Sequence, residues 1–177
     1  MLNASHGLGM GARQMTISTA GLVPRIRRLA RESLHVELAV SLHAATEDLR
    51  DRLVPLNRRY PLEMLIPACR EYLDVTGRRP TFEYVLLCDV NDGLEHASDL
   101  ADLLRGLNCH VNLIAGNPTT NRAYAPSPRR QMLAFQRLLT EKGISNTLRL
   151  PRGVDIEAGC GQLRSRWNAG YKAMPNA

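Results

Sequence analysis

The sequence predicts an α/β domain in which parallel strands alternate with crossover helices packed on the outside. Three observations lead there. Short runs of strand character alternate with longer stretches of helical period about four times, and a fifth strand closes the series. The junctions carry turn chemistry, with Gly77 and Gly143 after apolar stripes and Asn91-Asp92-Gly93 and Gly116-Asn117-Pro118 after strands. A chain of 177 residues with 44% hydrophobic and 23% charged positions has the composition of one globular domain with a sizeable core. The alternation fits a doubly wound sheet or part of a barrel. Either way, chemistry gathers at the C-terminal ends of the strands.

Residues 1–13 read as an irregular N-terminal segment, 14–164 as the domain and 165–177 as a tail. Gly7, Gly9 and Gly11 lack the G-x-G-x-x-G spacing and no strand precedes them, so they do not make a phosphate loop. Met15 to Ser18 is a short strand and Thr19-Ala20-Gly21 a turn; Leu22, Ile26, Leu29 and Ala30 then repeat at helical spacing. His35 to Ser41 is the next strand, followed by a short helix over Thr46 to Leu53 and a basic loop, Arg58-Arg59-Tyr60. From Pro61, the stripe Leu62, Leu65, Ile66, Cys69, Tyr72 and Leu73 marks a helix ended by Gly77. Thr81 to Leu87 is a strand, Ala97 to Leu107 a helix and His110 to Ile114 a strand. Ser127 then reads as an N-cap with Pro128 at the first helical position, before the stripe Met132, Phe135, Leu138 and Leu139. Ser145 to Leu150 is the last strand.

The polar groups at the strand ends are Ser18, Ser41 with His43, Asn117, and the loop holding Cys160. Each has a plain structural reading alone, as a cap, a surface imidazole or an Asx turn. Together on one rim they predict a shared site. Cys160 lies between Gly159 and Gly161 with Arg152 and Arg164 around it, which reads either as an exposed sulfur favoured as thiolate or as a small, inert apolar residue beside a turn. Glu83 interrupts an apolar strand, so it either points into the site or faces a helix arginine.

Net charge is +6, and only Lys142 and Lys172 of the 23 basic residues are lysine. Such a surface fits a polyanion such as RNA. Cys69, Cys88, Cys109 and Cys160 are widely separated, with no metal-site spacing and no secreted disulfide pattern, so the expected setting is a reducing cytoplasm. No apolar run approaches transmembrane length.

Ser18-Thr-Ala-Gly21, Ser41-Leu42-His43-Ala44, Arg50-x-x-Leu53-Val-Pro-Leu-Asn57-Arg-Arg-Tyr60-Pro, Phe82-Glu-Tyr-Val85, Val90-Asn-Asp92, Asn117-Pro118 and Arg152-Gly-x-Asp155-Ile-x-Ala158-x-Cys160-Gly-Gln-Leu resemble the RlmN/Cfr family of radical S-adenosylmethionine RNA methyltransferases. The resemblance runs from about Gly7 to Arg164. It implies that the chain is the C-terminal portion of a partial (βα)6 TIM-like barrel. It implies methylation of carbon 2 of an adenosine in 23S rRNA and in some tRNAs, or of carbon 8 in Cfr-type relatives, with a flavodoxin-like reducing partner. Cys160 would carry the methyl group, taken from one S-adenosylmethionine and passed on by a radical generated from a second. Ser18, Ser41, Leu42, His43 and Asn117 match positions that contact S-adenosylmethionine. The family also binds a 4Fe-4S cluster through Cys-x-x-x-Cys-x-x-Cys, a spacing this sequence does not contain, so no metal ligands are assigned and the chain is not expected to run this chemistry alone. The other implied reading is a non-catalytic remnant that binds RNA or nucleotide. A partial barrel is further expected to expose a strand edge and an apolar inner face, favouring self-association.

Overall fold

The structure, a computed structural model, describes residue 11 and residues 14–33, 36–116 and 125–149. Five strands, β1 (Thr16–Thr19), β2 (Glu37–Ser41), β3 (Thr81–Leu86), β4 (His110–Ala115) and β5 (Asn146–Arg149), form one sheet in the order β1-β2-β3-β4-β5. All four pairings are parallel. This order decides between the two architectures left open by the sequence. A doubly wound sheet reverses its strand order at a switch point. Here each right-handed crossover moves one strand further in the same direction, which puts the helices on one face and makes the sheet part of a barrel wall.

The helices are α1 (Val23–Ala30), α2 (Glu47–Leu53), α3 (Leu62–Thr76), α4 (Leu94–Leu103) and α5 (Arg129–Glu141), with a 3-10 turn at Pro55–Arg58. The core is the helix-facing side of the sheet. Leu38, Val40, Phe82, Tyr84, Leu86, Val111 and Leu113 alternate along β2, β3 and β4 and are buried against Ile26, Leu65, Tyr72, Leu100 and Phe135 from the helices. Tyr72 hydroxyl donates to Val36 O at 2.5 Å, fixing α3 to the entry of β2. Gly77 ends α3 in the left-handed region at φ 65°, as the sequence predicts. Pro67 lies inside α3 on its exposed side.

Two expectations need correction. Ser127 does not cap α5; the N-cap is Pro128 and no side chain caps it. Ser127 N–H bonds Leu86 O and pins the residue beside β3, so its hydroxyl donates to Asp92 Oδ2 instead. Nor is the inner face of the sheet apolar. Register puts Thr16, Ser18, Ser41, Thr81, Glu83, His110, Asn112, Thr147 and Arg149 on the side away from the core. Only Ala39, Val85 and Ile114 of that face are apolar among the described strand residues.

Candidate functional site

The inner face is organised in rows across the strands. Ser18, Ala39, Thr81 and His110 share one row; Ser41, Glu83, Asn112 and Thr147 the next; Val85, Ile114 and Arg149 the third. Adjacent strands stand about 4.8 Å apart, so side chains in one row can reach a common ligand. Ser18 and Ser41 thus lie on the same face, in successive rows toward the C-terminal rim.

His43 continues β2 beyond its last ladder pair. Its backbone is left-handed, φ 60°, and its Nδ1 accepts the Val85 N–H at 3.2 Å. A neutral ring that accepts at Nδ1 carries its proton on Nε2 and can donate there. Burial, and then the nearby Arg50 guanidinium, push the imidazole down to about 4, so it is neutral at physiological pH. His43, Leu53, Val85 and Leu87 line a cavity of about 270 Å³ at the rim. Leu42 points the other way, wholly buried in the core, and its N–H is spent on Glu83 O. Its part in the expected site is to set the spacing between Ser41 and His43.

Two buried polar residues hold this rim, and sequence reading of function passed over both. Arg50 of α2 is fully buried. Its Nη2 donates to Ala20 O (2.8 Å) and Ser41 O (3.3 Å), its Nε to Leu42 O (3.2 Å) and its Nη1 to Asn57 Oδ1 (2.6 Å). Asn57 Nδ2 in turn donates to Glu47 and Asp51, so the guanidinium charge is answered by two carboxylates one amide away. Burial lowers the Arg50 pKa and Glu47 acts against that shift. One arginine therefore ties the ends of β1 and β2 together, directly behind Ser18, Ser41 and His43. Asn91 does the same between β2 and β3. Its Nδ2 donates to His43 O and Val85 O, both at 2.8 Å, and its Oδ1 accepts from Leu87 N–H. Tyr84 hydroxyl completes the plug by donating to Asn91 O at 2.9 Å. The sequence carries no local signal for either role: Arg50 stands among the charged residues Asp48, Asp51 and Arg52, and Asn91 in the turn-like Asn91-Asp92-Gly93.

Asn117 and Cys160 lie outside the described residues. A larger hollow of about 450 Å³ beyond β3, lined by Cys88, Asp92, Glu95 and His96 among others, contains none of the expected site residues.

The described cysteines do not fit an iron–sulfur cluster. Cys69 and Cys109 are buried in the core, and desolvation first pushes their thiols up to about 12 and about 11. Cys88 donates to Asp89 at 3.4 Å, which raises it too. Among the described residues no group of three His, Cys, Asp or Glu side chains is placed to hold a metal. The rim does fit a polar nucleoside cofactor: hydroxyls on the open face, an Nε2–H donor at an apolar cavity, and rigid backbone behind them.

A one-directional parallel sheet with a polar inner face and outer helices is the wall of a β/α barrel. A radical SAM methyltransferase from Sphaerobacter thermophilus matches with a TM-score of 0.88 and 55% identity, over 91% of this chain and 47% of that one. A domain of a pyruvate-formate lyase-activating enzyme from Bacteroides vulgatus, 17% identical, shares the fold at a TM-score of 0.55. By sequence, the chain is 51% identical over 166 residues to a probable dual-specificity RNA methyltransferase RlmN from Geobacillus thermodenitrificans, covering 94% of this chain and 46% of the relative. It is 55% identical over 166 residues to a protein of the same description from Desulforudis audaxviator, covering 93% and 52%. Along almost its whole length the chain is similar to proteins described as RlmN, and it spans about half the length of the curated relatives it matches. No family model matches it.

Proposed function

We propose that the chain is the part of an RlmN-type methyltransferase that binds S-adenosylmethionine at the C-terminal rim of the sheet and delivers a methyl group through Cys160 to carbon 2 of an adenosine in 23S rRNA and in some tRNAs. The observation that carries this reading is identity near 50% over almost the whole chain to relatives named as RNA methyltransferases. The rim supports it. Ser18 and Ser41 offer hydroxyls from neighbouring strands, His43 offers Nε2–H, and Asn117 and Cys160 are proposed to join them from the loops after β4 and β5. Exposed Arg52, Arg58 and Arg59, on the excursion between β2 and α3, suit the phosphates of an RNA. Bound S-adenosylmethionine with a reduced cluster supplies the radical chemistry; these residues bind, orient and exclude water.

The test is mass spectrometry of ribosomal RNA from cells that lack adenine C2 methylation and carry this gene. Appearance of 2-methyladenosine, abolished by Cys160→Ala, is the expected result. A second reading is a non-catalytic remnant that binds RNA or nucleotide. That reading predicts no methylated adenosine while S-adenosylmethionine or RNA still binds.

A further inference from the structure

Glu83 stands in the interior of β3, a position where a carboxylate is disfavoured and where burial demands partners. It points away from the core, in register with Ser41 on one side and Asn112 on the other. Asn112, only 4% exposed, donates Nδ2 to Glu83 Oε1 at 2.9 Å, and among the described residues no cation pairs with this carboxylate. One bond leaves a carboxylate most of its acceptor capacity. Oε2 of Glu83, Oδ1 of Asn112 and the hydroxyl of Ser41 have no hydrogen-bond partner among the described residues, and they sit on three neighbouring strands. Thr147, next in the row, is already engaged by His110 Nε2 at 3.1 Å. The unused groups are therefore acceptors, apart from one hydroxyl that can do either. Such a shelf reads hydrogen-bond donors. Arg149 and His110 on the same face weigh against a cationic ligand, and a single carboxylate between two neutral groups matches a pair of neighbouring hydroxyls.

We propose that Glu83, oriented by Asn112 and flanked by Ser41, binds the ribose 2′,3′-diol of a nucleoside on the inner face of the sheet. This rests on the S-adenosylmethionine reading above, because it is the proposed contact at Ser41 that puts a nucleoside within one strand spacing of Glu83. The diol has two sources, the cofactor or an adenosine of the RNA.

The experiment titrates the full chain by calorimetry with S-adenosylmethionine, with its 2′,3′-dideoxy analogue, and with a short adenosine-containing RNA and its 2′-deoxy counterpart. The expected result is that Glu83→Gln weakens S-adenosylmethionine about tenfold, that the dideoxy analogue is weaker than the cofactor by a similar factor, and that the variant no longer distinguishes the two. The same pattern confined to the RNA pair assigns the shelf to the RNA ribose. Asn112→Ala keeps the carboxylate but frees it; this variant binds several-fold more weakly yet still prefers the diol, which guards against a folding defect in Glu83→Gln. Equal binding of cofactor and dideoxy analogue by the unmodified chain overturns the shelf alone and leaves S-adenosylmethionine binding intact. Failure of the unmodified chain to bind either cofactor or RNA overturns both.

Discussion

At the scale of single residues, two buried polar groups decide how rigid the rim is. Arg50→Ala would leave the carbonyls of Ala20, Ser41 and Leu42 and the Asn57 amide without a donor in a dry interior. We expect a loss of about 3–5 kcal/mol, read by urea unfolding. Arg50→Lys recovers only part of it, because one ammonium cannot span the fork. His43 makes a pH-dependent contribution. The unfolded imidazole takes up a proton near its ordinary 6.5, and the folded one not until about 4. Its stabilising effect is therefore complete above about pH 6.5 and drains away as pH falls through that window, by up to about 3 kcal/mol. His43→Asn, which tolerates the left-handed backbone, should flatten the difference between urea midpoints at pH 7 and pH 4.5 relative to the unmodified chain. Ser41 and His43 were legible as site candidates because polar residues at strand ends stand out. Arg50 and Asn91 were not, because nothing in a linear pattern says that a side chain will turn back to satisfy carbonyls of two other strands.

At the scale of elements, two glycines show what the backbone demands and what packing adds. Gly77 closes α3 at φ 65° with open space where a Cβ would be, so Gly77→Ala pays for backbone conformation only, about 1 kcal/mol. Gly21 turns the chain out of β1 at φ 109°, and a Cβ there would sit 3.1 Å from Arg50 Nη2 and 3.2 Å from Leu65 Cδ2. Gly21→Ala strains the backbone and presses on the guanidinium that holds the rim. Its thermal midpoint should fall clearly further than that of Gly77→Ala; equal shifts would mean that the rim yields easily. Periodicity identified all five strands and the helices between them, with ends shifted by a few residues. The misplaced cap at Ser127 has a tertiary cause: a local rule for helix starts lost to a strand-side hydrogen bond and the Asp92 carboxylate.

At the scale of the whole molecule, alternation in the sequence left two architectures open, because strand order is set by which strands meet and not by any local signal. The one-directional order gives two sheet edges of different character. β5 carries Arg149 and exposed Thr147, the kind of polar edge that discourages pairing. β1, Thr16-Ile-Ser-Thr19, has no charge; its first three residues are exposed and Ile17 is 42% exposed. Because the inner face proves polar, face-to-face hydrophobic association loses its basis, and the edge of β1 becomes the place where copies of this chain should join. We expect sedimentation velocity to show concentration-dependent self-association of the 177-residue chain. Ile17→Lys puts a charge on the edge while leaving the core and the polar rows untouched, and it should move the chain to monomer without lowering its thermal midpoint. A unmodified chain that sediments as monomer at tens of micromolar, or a variant that associates as strongly as its parent, would show that β1 is not a pairing edge in solution, and that the unpaired amides of its strand are satisfied elsewhere.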